Sequence, residues 1–404
     1  MTRKVLKFGG TSVGSIDRIK KVAKTIKEHH DKGDEIIVVV SAMSGVTNNL
    51  IKKANSISNN FDKAELDVLL ATGEQETSSL MAGALNEIGV ASRSWLSWQV
   101  PIITEGNHNS ARILNIRIKE IEDYLSGGKI PIFPGFQGMS IDGRITTIGR
   151  GGSDGSAVAI AKIFNAEICE IYTDVEGVLT SDPGTNKDAK KIEKISFEEM
   201  LEMSSLGAKV MQPYAVQTAM MNNIPIQVRS SFSKNIGTFI TDENSIDYKK
   251  NVTGVTYSKN DAKISILGVK DRPGIAAGIF EPLGVNEINV DMVVQNISAN
   301  KSVTDITFTL KREDTNKALD IIKKSKEKIN YNELLCDDKV SKISIVGAGM
   351  IFSPGITYRM FKALGEEKIN ILVISTSEIK ISVLIDENFT QKAVRVLHKE
   401  FKLG

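Results

Sequence analysis

The sequence predicts an α/β chain: a mainly parallel sheet sandwiched by helices, followed by two βαββαβ units. Three observations carry this. Short apolar runs repeatedly end in glycine and hydroxyl residues and then give way to helical spacing, as after residues 5–8 and 35–40. The run Glu35-Ile-Ile-Val-Val-Val40 is β-branched almost throughout, as in strands buried on both faces of a parallel sheet. From about residue 251, one β–turn–α–β pattern occurs twice at a spacing of about 80 residues.

At 404 residues the chain has room for two or three domains with proper cores. A net charge of +2 sets up no field that would favour nucleic acid or a membrane surface. The two cysteines, Cys169 and Cys336, define neither a disulfide framework nor a zinc pattern. No run approaches the roughly 18 apolar residues that span a bilayer, and a cytoplasmic location is expected.

The first element is a strand with a lysine on it, Val5-Leu-Lys7-Phe, ending in Gly9-Gly10-Thr-Ser12. A helix follows, with Ile16, Ile19, Ala23 and Ile26 at helical spacing. Strand, glycine turn and helix start suit an anion: free N–H groups and the positive dipole end meet there. The Walker order of glycines and lysine is absent. The second strand ends likewise in Ser41-Ala-Met-Ser-Gly45-Val-Thr47. Ligands of open α/β sheets bind beyond such carboxyl ends.

A helical stretch over 61–88 is interrupted at Thr72-Gly73-Glu74. The strand at 130–134 leads into Gly135-Phe136-Gln-Gly138, an aromatic between glycines at a strand end. A dense cluster follows, Gly149-Arg150-Gly151-Gly152-Ser153-Asp154, opening a small-residue helix. It offers a second N-terminal anion site, with an arginine able to grip a carboxylate or phosphate through two hydrogen bonds. The strand at 168–172 ends in Thr173-Asp174, and Ser205-Leu-Gly-Ala-Lys209 begins a helix with a second candidate phosphate lysine. Strands at 224–229 and 238–241 close this domain, 1–245.

In the tail, the first βαββαβ copy spans 261–338 and carries Asp271-Arg-Pro-Gly274 at its first turn. The second copy, from 339 to 404, lacks its sixth strand, which the spare strand at 252–257 can supply. The first repeat is therefore expected to be inserted into the second, which comprises 250–260 plus 339–404.

Together these motifs, seven in order along the chain, resemble an aspartokinase of the amino-acid kinase superfamily followed by two ACT domains. The resemblance implies transfer of the γ-phosphoryl of ATP to the β-carboxylate of L-aspartate, giving 4-phospho-L-aspartate. That is the first step toward lysine, threonine and methionine. A carboxylate nucleophile is ionised at neutral pH, so no general base is required. His29, His30, His108 and His398 accordingly lie outside every motif.

By resemblance, Lys7, Asp154 and Lys209 form the catalytic set. Lys7, Gly9, Gly10, Ser41, Thr173, Asp174 and Lys209 bind ATP. Mg²⁺ enters through the ATP phosphates, with no direct protein ligand assigned and Asp154 helping to organise it. For aspartate, Arg150 is expected on the α-carboxylate and Glu74 on the ammonium, with Thr47, Phe136 and Ser153 completing the pocket. The ACT pair implies feedback by an amino acid held at Asp271, Gly274, Ile275, Gln295, Asn370 and Ile371. Lysine is the expected effector, with threonine, or the two together, as the alternative. A homo-oligomer through the ACT domains is expected.

The chain departs from the family's habit at Leu179 and Gly184, where tyrosine and arginine are common, and at Met211-Gln212-Pro213, commonly Leu-His-Pro. Two other readings stand beside this one: another amino-acid or nucleotide-monophosphate kinase, and an inactive amino-acid sensor. The Phe-Gly-Gly-Thr-Ser start argues against the first, and the intact set Lys7, Glu74, Arg150, Asp154 and Lys209 against the second.

Overall fold

The computed structural model describes residues 2–404 except 101, 117, 150, 209, 247–249, 298–302 and 352. Arg150 and Lys209, both expected site residues, therefore lie outside the described residues. The chain forms two compact units: Met1–Leu179, Lys191–Ser205 and Lys209–Asp247 make the first, and Thr180–Lys190, Leu206–Ala208 and Tyr248–Gly404 the second. Two short segments of the 1–245 stretch thus pack within the second unit.

The first unit runs β1 (Arg3–Phe8), α1 (Ile16–His30), β2 (Glu35–Val40), α2 (Val46–Ile57), α3 (Lys63–Glu87), β3 (Ser92–Ser94), β4 (Ile102–Thr104), β5 (Ile113–Ile116), α4 (Lys119–Ser126) and β6 (Ile130–Pro134). It continues through β7 (Gln137–Ser140), β8 (Ile145–Thr147), α5 (Gly152–Ile163), β9 (Ile168–Thr173), β10 (Lys194–Ser196), α6 (Phe197–Ser205), α7 (Pro213–Asn222), β11 (Ile226–Ser230) and β12 (Thr238–Thr241). The main sheet has the order β10-β12-β11-β9-β1-β2-β6-β3, and a four-stranded sheet has the order β5-β4-β7-β8. β11, β9, β1, β2, β6 and β3 run parallel, so the turns that follow β1, β2, β6, β9 and β11 all open along one edge.

The elements follow from the residues. β2 is β-branched and buried along Ile36–Val40, and Leu6 and Phe8 beside it are equally buried. α1 starts at Ser15, whose side chain accepts the Arg18 N–H, and it turns Ile19, Val22, Ala23 and Ile26 into this core against Met81 and Leu85 of α3. Each of the larger side chains, Ile19, Val22, Ile26, Met81 and Leu85, contributes about 1.5–3 kcal/mol by burial. Ile16, expected on the buried face, is instead exposed.

Two sequence expectations are corrected. α3 passes unbroken through Thr72-Gly73-Glu74, because packing outweighs the weak helix propensity of one glycine. A Cβ on Gly73 would stand 2.9 Å from the Ala42 Cβ, so the glycine lets α3 sit directly on the turn after β2. No helix begins at Ser205: α6 ends there, and α7 starts at Pro213, whose fixed φ suits a first helical position.

The second unit runs β13 (Gly254–Lys270), α8 (Ile275–Val285), β14 (Val294–Ile297), β15 (Val303–Lys311), α9 (Thr315–Lys324), α10 (Lys326–Ile329), β16 (Glu333–Val346), α11 (Ile356–Glu366), β17 (Val373–Thr376), β18 (Lys380–Asp386) and α12 (Thr390–Glu400). Its antiparallel sheet has the order β14-β15-β13-β16-β18-β17. β13 and β16 each serve both halves: Gly254–Ser258 pairs with Lys342–Val346, and beyond a register shift at Asp261 the strands pair again from Lys263↔Asp337 to Leu267↔Glu333. At that shift the buried Lys342 ammonium lies 3.8 Å from Asp261 and 2.5 Å from Asp291. Separate cores under the two halves centre on Phe308 with Ile279 and on Val383 with Leu397.

Candidate active site

The parallel edge of the first unit is laced together by its own backbone. Gly9 N–H donates to the Tyr172 carbonyl at 3.0 Å, Ser41 N–H to Phe8 at 3.0 Å, Ser44 N–H to Gly10 at 3.1 Å, and Gly135 N–H to Val40 at 2.9 Å. Ser12 Oγ donates to the same Tyr172 carbonyl at 3.3 Å and accepts from Ser231 Oγ at 2.6 Å. A Cβ on Gly10 would stand 2.7 Å from the Ala42 carbonyl oxygen, so only glycine fits this approach. Gly9, Gly10 and Ser41 thereby share one rim with Thr173, whose hydroxyl donates to the Asp174 carboxylate at 3.2 Å.

Lys7 points from β1 toward this rim, its ammonium 3.6 Å from where a Cβ on Gly9 would be. It forms an ion pair with Asp154, in the first turn of α5, and the two residues are only 8% and 7% exposed. A buried pair of this kind does little for stability, because desolvation offsets the attraction. It does hold an ammonium aimed at a fixed place.

The second group of expected residues comes from two helix starts, the middle of α3 and the turn after β6. Thr47 lies in the first turn of α2, Glu74 in the middle of α3, Ser153 in the first turn of α5, and Phe136 just beyond β6. Contacts bring them together. Gly73 abuts Ala42 and Val46, Gly135 abuts Ser153, and Phe136 packs with Leu50 and Leu70. Phe136 adopts φ +68°, held by its N–H to Ser156 Oγ at 3.0 Å and its carbonyl from Ile148 N–H at 2.9 Å.

Glu74 is 4% exposed, and burial pushes its carboxyl up to about 7 against a partly compensating hydrogen bond from the Ala42 N–H. Its Oε2 has no hydrogen-bond partner among the described residues. A buried carboxylate oxygen without a donor is costly, and such perturbed, unpartnered groups concentrate at functional sites. Four of the five expected pocket residues are gathered here, and the fifth, Arg150, is outside the described residues.

Sequence reasoning did not single out Ser231, Ser156 or Gln212 as site-building residues. Ser231 follows β11 as hydroxyl residues follow β1 and β2, and that pattern was the available signal. Gln212 lies against Gly151, which has φ +73° and whose added Cβ would overlap the glutamine side chain. The Gln212 departure is thus accommodated by packing on the glycine turn.

In the second unit Asp271, Gly274, Ile275 and Gln295 line one open cleft with Arg272, Pro273 and Ala276. Gly274 starts α8 there at φ +86°. Asn370 and Ile371 do not line it. They lead into β17, at the opposite edge of the sheet from the β14 of Gln295, five strand spacings or about 24 Å away.

The profile of the amino acid kinase family matches residues 2–230, and that of an ACT domain matches 264–325 and 343–401. The aspartokinase of Pseudomonas aeruginosa is 46% identical over 401 residues, covering 99% of this chain and 97% of its own. The crystal structure of E. coli aspartokinase III in complex with aspartate and ADP has the same fold, with a TM-score of 0.84 at 23% identity and 99% of each chain covered. The same E. coli protein in complex with lysine and aspartate aligns with a TM-score of 0.76 at 23% identity, over 98% of this chain and 99% of that one. The chain belongs to the aspartokinases of the amino acid kinase family, catalytic domain and ACT domains together.

Proposed function

We propose that the enzyme transfers the γ-phosphoryl of ATP to the β-carboxylate of L-aspartate, forming 4-phospho-L-aspartate as the first step toward lysine, threonine and methionine in the cytoplasm. The observation that carries this is Glu74: a buried carboxylate with one open oxygen, on the same edge as the Lys7–Asp154 pair. It suits the ammonium of an amino acid and, when ionised, repels the phosphate of a nucleoside monophosphate.

With Glu74 on the ammonium and Arg150 on the α-carboxylate, both charged ends of aspartate are fixed and its β-carboxylate is left to reach the ATP. Thr47, Phe136 and Ser153 close the pocket around it. The attacking oxygen is already anionic, so the protein's work is to align it and to neutralise charge between two anions. Lys7 and Lys209 do this at the transferring phosphoryl, with Lys7 held in place by Asp154. Gly9, Gly10 and Ser41 cradle the phosphates through backbone N–H groups, and Thr173 and Asp174 hold the nucleoside. Mg²⁺, when bound, supplies further charge neutralisation on the phosphates. Residues 1–245 act as the catalytic domain, 261–338 as the first ACT domain, and 250–260 plus 339–404 as the second.

The cleft at Asp271 suits an amino-acid effector: the carboxylate faces an ammonium, and the α8 start faces a carboxylate. Lysine is the proposed inhibitor, as the lysine complex of the E. coli protein suggests, with threonine as the alternative. Asn370 and Ile371 reach such a cleft only from a second chain, which favours a homo-oligomer joined through the ACT sheets. The test is ADP release in the presence of L-aspartate, L-glutamate, N-acetylglutamate or UMP, each with and without millimolar lysine or threonine. ADP release with aspartate alone, suppressed by lysine, is expected. Turnover with another acceptor overturns the substrate, and turnover indifferent to both amino acids overturns the regulation.

A further inference from the structure

Asp67 is a fully buried carboxylate that the mechanism above does not use. It lies on α3, 0% exposed, two helical turns before Glu74. Two pieces of chain, the 107–110 loop and β8, converge on it. His108 Nδ1 is 2.7 Å from Oδ2, the Asn109 N–H reaches both oxygens at 3.2 Å, and Thr147 Oγ1 donates to Oδ1 at 2.5 Å. The Ala111 N–H completes the knot, donating to the Thr147 carbonyl at 3.0 Å.

What the knot holds is the turn after β8. Gly149 has φ +85°, and a Cβ there would stand 2.9 Å from the Asn109 carbonyl oxygen. The residue fixed by Asp67 is thus the one against which Gly149 rests. Gly152 N–H then returns to the Gly149 carbonyl at 3.0 Å, leading directly into Ser153 and Asp154. Gly149 is the residue just before Arg150. A buried carboxylate is costly unless its oxygens are filled with donors, and here they are filled by the strand and loop that set this turn.

We propose that Asp67, through His108, Asn109 and Thr147, is a positioning residue for the amino-acid side of the active site. It fixes the backbone at Gly149, where the chain enters the turn that precedes Ser153, and so governs the affinity for the amino-acid substrate more than that for the nucleotide, whose cradle of Gly9, Gly10 and Ser41 lies outside the knot. This rests on the reading above that Arg150 and Ser153 bind that substrate. His108 is the convenient handle, because its side chain is 21% exposed whereas that of Asp67 is fully buried.

The test compares wild type, His108→Ala, His108→Asn and Asp67→Ala, with Arg150→Ala as a control. For each, KM for aspartate, KM for ATP, kcat and ADP affinity by calorimetry are measured. His108→Ala is expected to raise KM for aspartate about tenfold, with KM for ATP and ADP affinity within twofold. His108→Asn, which puts an amide N–H donor where Nδ1 was, is expected to restore KM to within threefold of wild type. Asp67→Ala should exceed the His108→Ala effect on aspartate. Unchanged aspartate KM in His108→Ala, or equal weakening of aspartate and nucleotide, overturns the positioning role. If wild type is active on aspartate but Arg150→Ala keeps its aspartate KM, it is the underlying substrate assignment that has failed.

Discussion

Replacing Glu74 by glutamine separates what this residue does for binding from what it costs the fold. Its carboxyl moves from an ordinary 4.5 to about 7 on folding, because burial disfavours the charge. A change of that size corresponds to about 3 kcal/mol. Below pH 4.5 the group is neutral both folded and unfolded, and it carries no penalty. As pH rises from 4.5 to 7 only the unfolded chain ionises, so stability is lost progressively, and above 7 the full penalty of about 3 kcal/mol remains. Glu74→Gln lacks that titration. It should therefore be more stable than wild type by about 3 kcal/mol at pH 8.5 and near equal at pH 4.5, which for a unit of this size is about 6–12 °C in Tm at alkaline pH. Aspartate binding needs the ionised form, so the wild-type KM for aspartate should fall up to tenfold per unit between pH 5.5 and 7 and level off above pH 8. The variant should lose aspartate use throughout. Urea unfolding from pH 4.5 to 9 with parallel kinetics checks this. A stability difference that does not change with pH refutes the burial account, and a variant with near-wild-type aspartate KM refutes the ammonium assignment.

Other substitutions probe the remaining parts. Arg150→Ala should raise KM for aspartate a hundredfold or more while ADP affinity by calorimetry changes less than threefold; an unchanged aspartate KM contradicts its role. Lys7→Met leaves the buried Asp154 without its partner and should cost about 3 kcal/mol in urea unfolding as well as nearly all turnover. Gly10→Ala should weaken ADP at least tenfold, because the added methyl would meet the Ala42 carbonyl oxygen at 2.7 Å; calorimetry reads this directly. Asp271→Ala should raise the lysine concentration for half-inhibition at least tenfold, measured at fixed aspartate.

Much of the fold was legible because its signals are local. A β-branched run followed by glycine and hydroxyl residues states both a buried strand and the turn beyond it, and parallel pairing places all such turns on one edge. The two copies of the ACT pattern were legible for the same reason, each strand, turn and helix being written in sequence. What escaped depended on contacts between distant residues. Glycine 73 reads as a helix breaker until Ala42 is seen against it. Residue 205 reads as a helix start because the turn down to Pro213 is set by its neighbours and not by its own propensities. Continuity of 254–270 as one strand depends on β16 offering partners on both sides of the register shift, from Gly254 to Leu267. Asp67 and His108 carry no motif, and only the meeting of α3, the 107–110 loop and β8 gives them a role.

The most direct test of the account is the identity of the phosphorylated product. Enzyme, ATP, Mg²⁺ and L-aspartate are incubated with hydroxylamine, and the hydroxamate formed is analysed by mass spectrometry and compared with authentic α- and β-aspartyl hydroxamates. The account predicts the β-hydroxamate in amounts equal to the ADP released, and none from Glu74→Gln. ADP released without hydroxamate, or the α-isomer in its place, would contradict it.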